Sequence, residues 1–153
     1  MKVRNAGKKK EGAQRWIRIL LGYWLPPVLL VAAMGLYSAN ALPHGPPLWM
    51  IRRDKLVHAI FFGSVALLVM RALRGGHRWT AWWAALGAFL LTVVYGGWDE
   101  YQQGGNPARN QDIRDWYADV IGSSVVFMIA CATSIATRLR GFAIERKETK
   151  TAK

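Results

Sequence analysis

Four apolar runs, each close to the length of a bilayer crossing, constrain this chain more than anything else in it: residues 16–37, 56–73, 79–98 and 117–137. A helix rises ~1.5 Å per residue and the hydrocarbon core of a bilayer is ~30 Å thick. The first run alone would rise about 33 Å as a helix. The expected fold is therefore an all-α membrane protein with four transmembrane helices. A hydrophobic fraction of 52% and eight Trp would be unusual in a soluble domain of 153 residues. A chain of that length forms at most one domain.

The organisation expected is a flexible basic tail over 1–15, a membrane domain over 16–137 and a charged, disordered tail over 138–153. The first run is too long for a signal peptide, and Pro26-Pro27 interrupts it. Those prolines should kink the helix and leave carbonyls for neighbouring helices or Ser/Thr groups to satisfy. A Pro- and Gly-rich loop spans 38–53, and Gly75-Gly76 is the expected turn between the second and third spans. The third span should continue as helix through Gln103, until Gly104-Gly105-Asn106-Pro107 stops it.

The net charge of +12 raises the question of nucleic acid. The basic residues lie mostly in the tails, however, and no nucleic-acid motif interrupts the apolar runs, so a basic collar on a membrane protein is the reading adopted. Of the 21 Lys and Arg, sixteen fall on one side of a four-span arrangement and five on the other. That bias places both termini in the cytoplasm and the polar loops on the extracytoplasmic face. Trp49, Trp98, Trp116 and Tyr117 then mark that interface as an aromatic belt. Cys131 is the only cysteine, so no intramolecular disulfide forms.

Against this basic background, five of the nine acidic residues crowd into one stretch: Asp99, Glu100, Asp112, Asp115 and Asp119. Three clusters should meet on the same face. In the first, Asp54 and His58 stand four apart beside Lys55, sharing a helix face. In the second, Asp99 and Glu100 precede Gln103, which lies three residues from Glu100. In the third, Arg109 precedes Asp112, Asp115 and Asp119, whose spacings of three and four form a stripe. Asp54 and Asp115 also suit N-caps, where a carboxylate is favoured by the helix dipole. Asp112 could be a solvated loop residue. Asp99 and Glu100 cannot be caps, because they lie where a helix ends and its dipole opposes negative charge. His58 lies one turn into an apolar span and needs a partner there. Asp119 poses the same question.

In order, Asp54-Lys55…His58…Phe61 or Phe62, then Asp99-Glu100-x-x-Gln103, then Pro107-x-Arg109-x-x-Asp112-x-x-Asp115-x-x-x-Asp119-x-x-Gly122, resembles the VanZ-like family of small membrane proteins. The likeness covers about residues 16–137. It implies an integral protein of the cell envelope, in a bacterial cytoplasmic membrane; the founding member contributes to glycopeptide (teicoplanin) resistance. The family usually carries Asn where this chain has Asp119, so here an ionisable group replaces a neutral amide.

Two functions compete. One is a site at the membrane–water interface that binds or processes a lipid-linked or glycopeptide-related ligand, such as an envelope lipid or peptidoglycan precursor. Its candidate catalytic residues are His58, Glu100 and Asp115, with Asp54 orienting His58. Lys55 and Arg109 would hold an anionic group, with Asp54, Asp99, Gln103, Asp112 and Asp119 also binding ligand. No cofactor is expected. His58, Glu100 and Asp115 would suit Mg²⁺ or Mn²⁺ better than zinc. The alternative is a non-catalytic binding or accessory protein in which the polar cluster is structural. A transporter fits less well, with four spans, no inverted repeat and no ionisable residue near the centre of a span. The partners expected are the lipid bilayer and, on either reading, a second copy of the chain.

Overall fold

The computed structural model describes residues 2–39, 54–104 and 112–151, and the described residues contain no strand. Four of its helical stretches are long and apolar enough to cross a membrane: Glu11–Leu36, Lys55–Gly76, Ala81–Gln103 and Ile113–Phe142. The all-α, four-span expectation holds.

The first span is one continuous rod made of α1 (Lys2–Ile19), a π-helical segment (Leu20–Trp24) and α2 (Leu25–Ala39). The basic segment expected as a flexible tail is thus helical. Lys, Arg, Glu and Ala are good helix formers, and a segment that extends an existing helix avoids the cost of nucleation. The disturbance expected at Pro26-Pro27 takes the form of the π turn just before them. Along the helix, the residues four and five beyond Gly22 are both proline, so neither can donate to its carbonyl. Arg71 Nη1, from the second span, donates to that oxygen at 2.9 Å instead.

The second span is α3 (Asp54–Arg71), extended by a π-helical turn over Ala72–Gly76. The reversal into α4 (Ala81–Gln103) comes at His77 and Arg78, later than the expected Gly75-Gly76. Among the described residues Arg78 is the one non-glycine residue with positive φ, at 61°. That costs roughly 1–2 kcal/mol for an L-residue. The glycines are needed elsewhere: a Cβ on Gly75 would overlap the Tyr23 ring, so Gly75 lets the first span approach. Trp24 Nε1 also donates to His77 Nε2 at 2.9 Å, tying that span to the turn.

The fourth span belongs to α5 (Ile113–Thr151). At 39 residues it outlasts the apolar window, and the charged C-terminal segment expected to be disordered continues it. Helices α3, α4 and α5 pack on one another, and the first span packs against α3. In the second span 44% of the apolar window is buried, against 11% in the first, so α3 is the central element and the first span peripheral. Val65 and Val69 of α3 and Leu73 of the π-helical turn meet Ala84 and Ala88 of α4 in the core, and Trp24, Leu30 and Val31 cover it from outside.

Between α3 and α5 small residues carry the contact. Ala59 and Gly63, in the small-xxx-small spacing that lets membrane helices approach closely, face Gly122. A Cβ on Gly122 would fall on the Ala59 carbonyl, and one on Gly63 would lie 3.1 Å from the Gly122 oxygen.

Leu20, Leu29, Ile60, Leu90, Val94, Ile121 and Ile129 are all exposed around the bundle. Exposed apolar surface on that scale marks a surface made for something other than water. Exposed aromatics gather near both ends: Trp16, Trp79 and Trp83 at one, Trp98, Tyr101 and Tyr117 at the other. Along α3, Lys55 and Arg74 are separated by about 28 Å of helix rise, close to the hydrocarbon thickness. The Lys55 end is called the acidic end below, and the Arg74 end the basic end.

Candidate functional site

The acidic end collects the start of α3, the finish of α4 and the start of α5. One face of α4 is buried along Ala88, Thr92, Gly96, Glu100 and Gln103. Small residues recur there at every fourth position, and the stripe then turns polar as it reaches the site. That spacing was visible in the sequence and is the signal that Glu100 faces inward.

His58 is 5% exposed and its Nδ1 lies 3.0 Å from Asp119 Oδ1, itself on a residue 1% exposed. A neutral imidazole that donates from Nδ1 to a carboxylate carries its lone pair on Nε2. The ring is held by packing as well. It stacks on Phe62 with centroids 6.2 Å apart, and Phe62, fully buried, stacks on Tyr95 at 5.8 Å. Asp119 is pressed against α4, where a Cβ on Gly96 would lie 2.8 Å from its Oδ2. A carboxylate that orients His58 is therefore Asp119, on α5. The side chain of Asp54 lies outside the described residues.

Lys55 Nζ donates to Asp112 Oδ2 at 2.9 Å and to Asp115 Oδ1. It is held by two carboxylates while staying 43% exposed. The fourth helix is capped by Asp112 rather than Asp115: Asp112 Oδ1 accepts the Arg114 N–H at 2.9 Å, and Asp112 O accepts the Asp115 N–H at 2.8 Å. The Arg114 N–H and then the Lys55 ammonium hold the Asp112 carboxyl below its usual range. Asp115, expected as a cap, is instead a nearly buried ion-pair partner.

Glu100 sits between these pairs. Its Oε2 accepts the backbone N–H of Asp112 at 3.2 Å. Its own helix dipole opposes its charge by ~0.3–1 kcal/mol, and the positive start of α5 offsets that. Its Oε1 is buried with no hydrogen-bond partner among the described residues, and the residue is 3% exposed. Asp115, His58 and Asp119 all act on its charge through space. Gln103, also buried, donates Nε2 to Asp99 Oδ2 at 2.8 Å. Arg109 lies outside the described residues, as does Trp49.

Sequence reasoning gave no role here to several contributors. Phe62, quoted only as part of a motif, stacks on His58 and is backed by Tyr95, Ser123 donates to the Asp119 carbonyl at 2.8 Å, and Trp116 Nε1 donates to the Val93 carbonyl at 3.1 Å. Trp116 was expected in the interfacial belt; its indole N–H instead fastens α5 to α4. Among the described residues no group of three or more His, Cys, Asp and Glu is placed to hold a metal ion, so His58, Glu100 and Asp115 do not assemble as the metal set the sequence suggested. The arrangement can exchange protons through His58 and Glu100 and can accept a hydrogen bond at Glu100 Oε1. Arg114, exposed at the start of α5, is a described cation of this end that enters no ion pair among the described residues.

No family model, no curated protein and no solved structure matches the chain.

Proposed function

We propose that this is an integral membrane protein of the cell envelope, of the VanZ-like kind, whose acidic end faces the extracytoplasmic side and binds or processes a lipid-linked or glycopeptide-related ligand. The Lys/Arg bias of sixteen to five supports that orientation. The observation that carries the reading is the buried Glu100 Oε1 without a partner among the described residues, beside a His–Asp pair. A buried polar atom left unsatisfied costs ~1–3 kcal/mol, and more when charged, which a fold retains where a ligand supplies the missing partner. The ligand group that fits Glu100 Oε1 is a hydrogen-bond donor, such as an amide, hydroxyl or ammonium. In the processing form, Glu100 receives that donor, His58 takes or returns a proton at Nε2, and Asp119 orients the ring.

A second reading has its own support. The Lys55–Asp112, Lys55–Asp115 and His58–Asp119 pairs all join α3 to α5, as a purely structural network would. Glu100→Gln separates the two. The test is a thermal melt of the detergent-solubilised protein beside complementation of a deletion strain, read as sensitivity to teicoplanin and related envelope drugs. The ligand reading expects a melting temperature kept or raised, with complementation lost. A variant that folds and complements fully moves the assignment to the accessory reading.

A further inference from the structure

We infer that the basic end carries a binding site for an anionic phospholipid, with its phosphate on Arg74 and Arg78 and an acyl chain running along Leu67 between α3 and α5. A cavity of about 820 Å³ opens there, walled by Tyr23, Arg71, Arg74, Arg78 and Trp79, with Leu67 on its inner side. None of its lining residues is acidic. Among the described residues neither Arg74 nor Arg78 enters an ion pair. Arg71 is fixed between the Gly22 carbonyl and the Tyr23 ring, 4.9 Å from its centroid, so it contributes positive field without having to move. The left-handed backbone at Arg78 sets that side chain at the mouth of the cavity.

Guanidinium groups match a phosphate in geometry as well as charge. Trp79 and Tyr23 stand at the depth where aromatic rings meet lipid headgroups. The occupant is a lipid, not a free anion, because of what lies below. Leu67 is shared with a second cleft of about 350 Å³, lined by Ile60, Gly63, Ile121 and Val125 on α3 and α5. The hydroxyl in that wall, Ser64, is spent on the Ile60 carbonyl at 2.8 Å. Leu67 is one turn closer to the mid-plane than Arg71, and the cleft continues about 10 Å further along α3. Charge at the rim and an apolar track leading inward together describe a headgroup and a chain.

The test is native mass spectrometry of the full chain in detergent, with phosphatidylglycerol and phosphatidylcholine of identical acyl chains. Phosphatidylglycerol should be retained about tenfold more strongly, since each Arg near an anionic headgroup adds a factor of several. The Arg74→Gln/Arg78→Gln double variant should lose that preference. The Arg138→Gln/Arg140→Gln variant, which removes two exposed cations from the same end, should keep it. Tail-less glycerol phosphate should not compete. Equal retention of the two lipids by the wild type overturns the proposal, a result that needs no variant to fold. Equal loss in both double variants reduces it to general surface charge, and full competition by glycerol phosphate removes the acyl-chain half; either outcome overturns the site as stated.

Discussion

The two ends of α3 show opposite treatments of charge. At the acidic end, Lys55 and His58 turn inward and are matched by Asp112, Asp115 and Asp119 across a helix contact. At the basic end, Arg71, Arg74 and Arg78 lie on the exposed surface around an open cavity, and the helix beside them is the loosely packed first span. The difference follows from packing. Where Gly122 lets α5 touch the Ala59 backbone, side chains of both helices near that crossing are shut away from solvent and must pair. Where the neighbour stands further off, charged groups keep their water or meet the headgroups, and no pairing is required.

The largest effect should come from closing the gap that makes the acidic end tight. In Gly122→Leu the new side chain meets backbone, which cannot swing aside, so α3 and α5 must separate. We expect a loss above about 3 kcal/mol, at the upper end of overpacking penalties, seen as a collapse of the monodisperse peak in size exclusion and of the thermal transition. Gly35 has nothing near its Cβ direction, and Gly35→Ala should be neutral or slightly stabilising in the same assay. Similar losses in both variants would break the comparison, because the peripheral first span would then be packed as tightly as the α3–α5 contact.

Lys55→Met comes next. It strands Asp115, whose side chain is 11% exposed, while Asp112 keeps partial contact with water. Because Lys55 is itself 43% exposed, the cost should fall below that of a fully buried pair, at about 1–2 kcal/mol. Adding Asp115→Asn should recover much of it in a double-mutant cycle. A cycle with no coupling would show that the clamp does not bind α3 to α5.

Arg71→Met probes the other end. It removes the donor to Gly22 O, whose helical donors are both proline, and should cost about 1 kcal/mol. The π segment should loosen locally, read as faster hydrogen exchange over 20–25 with 113–120 unchanged. Protection lost at both ends would mean that they are coupled through α3.

The smallest effect is one of pH. Asp112 has a folded carboxyl pKa below its usual value, so the stability it contributes is complete above the unfolded value of 3.8 and is lost as pH falls through the folded value. A melt taken from pH 7 downwards should therefore stay level with respect to this group until about pH 4, then drop. Asp112→Asn should flatten that acid limb. An unchanged limb in the variant assigns it to other carboxylates.

The apolar runs were enough to read the four spans, because lipid demands long unbroken helices and little else looks like them. Pro26-Pro27 announced a disturbed helix with a freed carbonyl, and Glu100 stood out because no cap explains a carboxylate where a helix ends. Those features are local: each depends on the periodicity of one helix, or on a donor missing from one residue.

The partners of those residues were not local. Asp54 was the plausible companion of His58 because it shares a helix face, yet the ring meets Asp119 across the bundle. Lys55 read as an uncommitted cation and proved to be neutralised, and the cap of α5 moved from Asp115 to Asp112. Periodicity tells which residues share a face of a helix, but not which faces meet, at what depth or with what rotation. The sequence by itself determined the helices and which residues were too polar for lipid. The tertiary structure decided the pairs, because the approach of Gly122 to Ala59 sets the register of α5 on α3, and that register selects which carboxylate each cation meets.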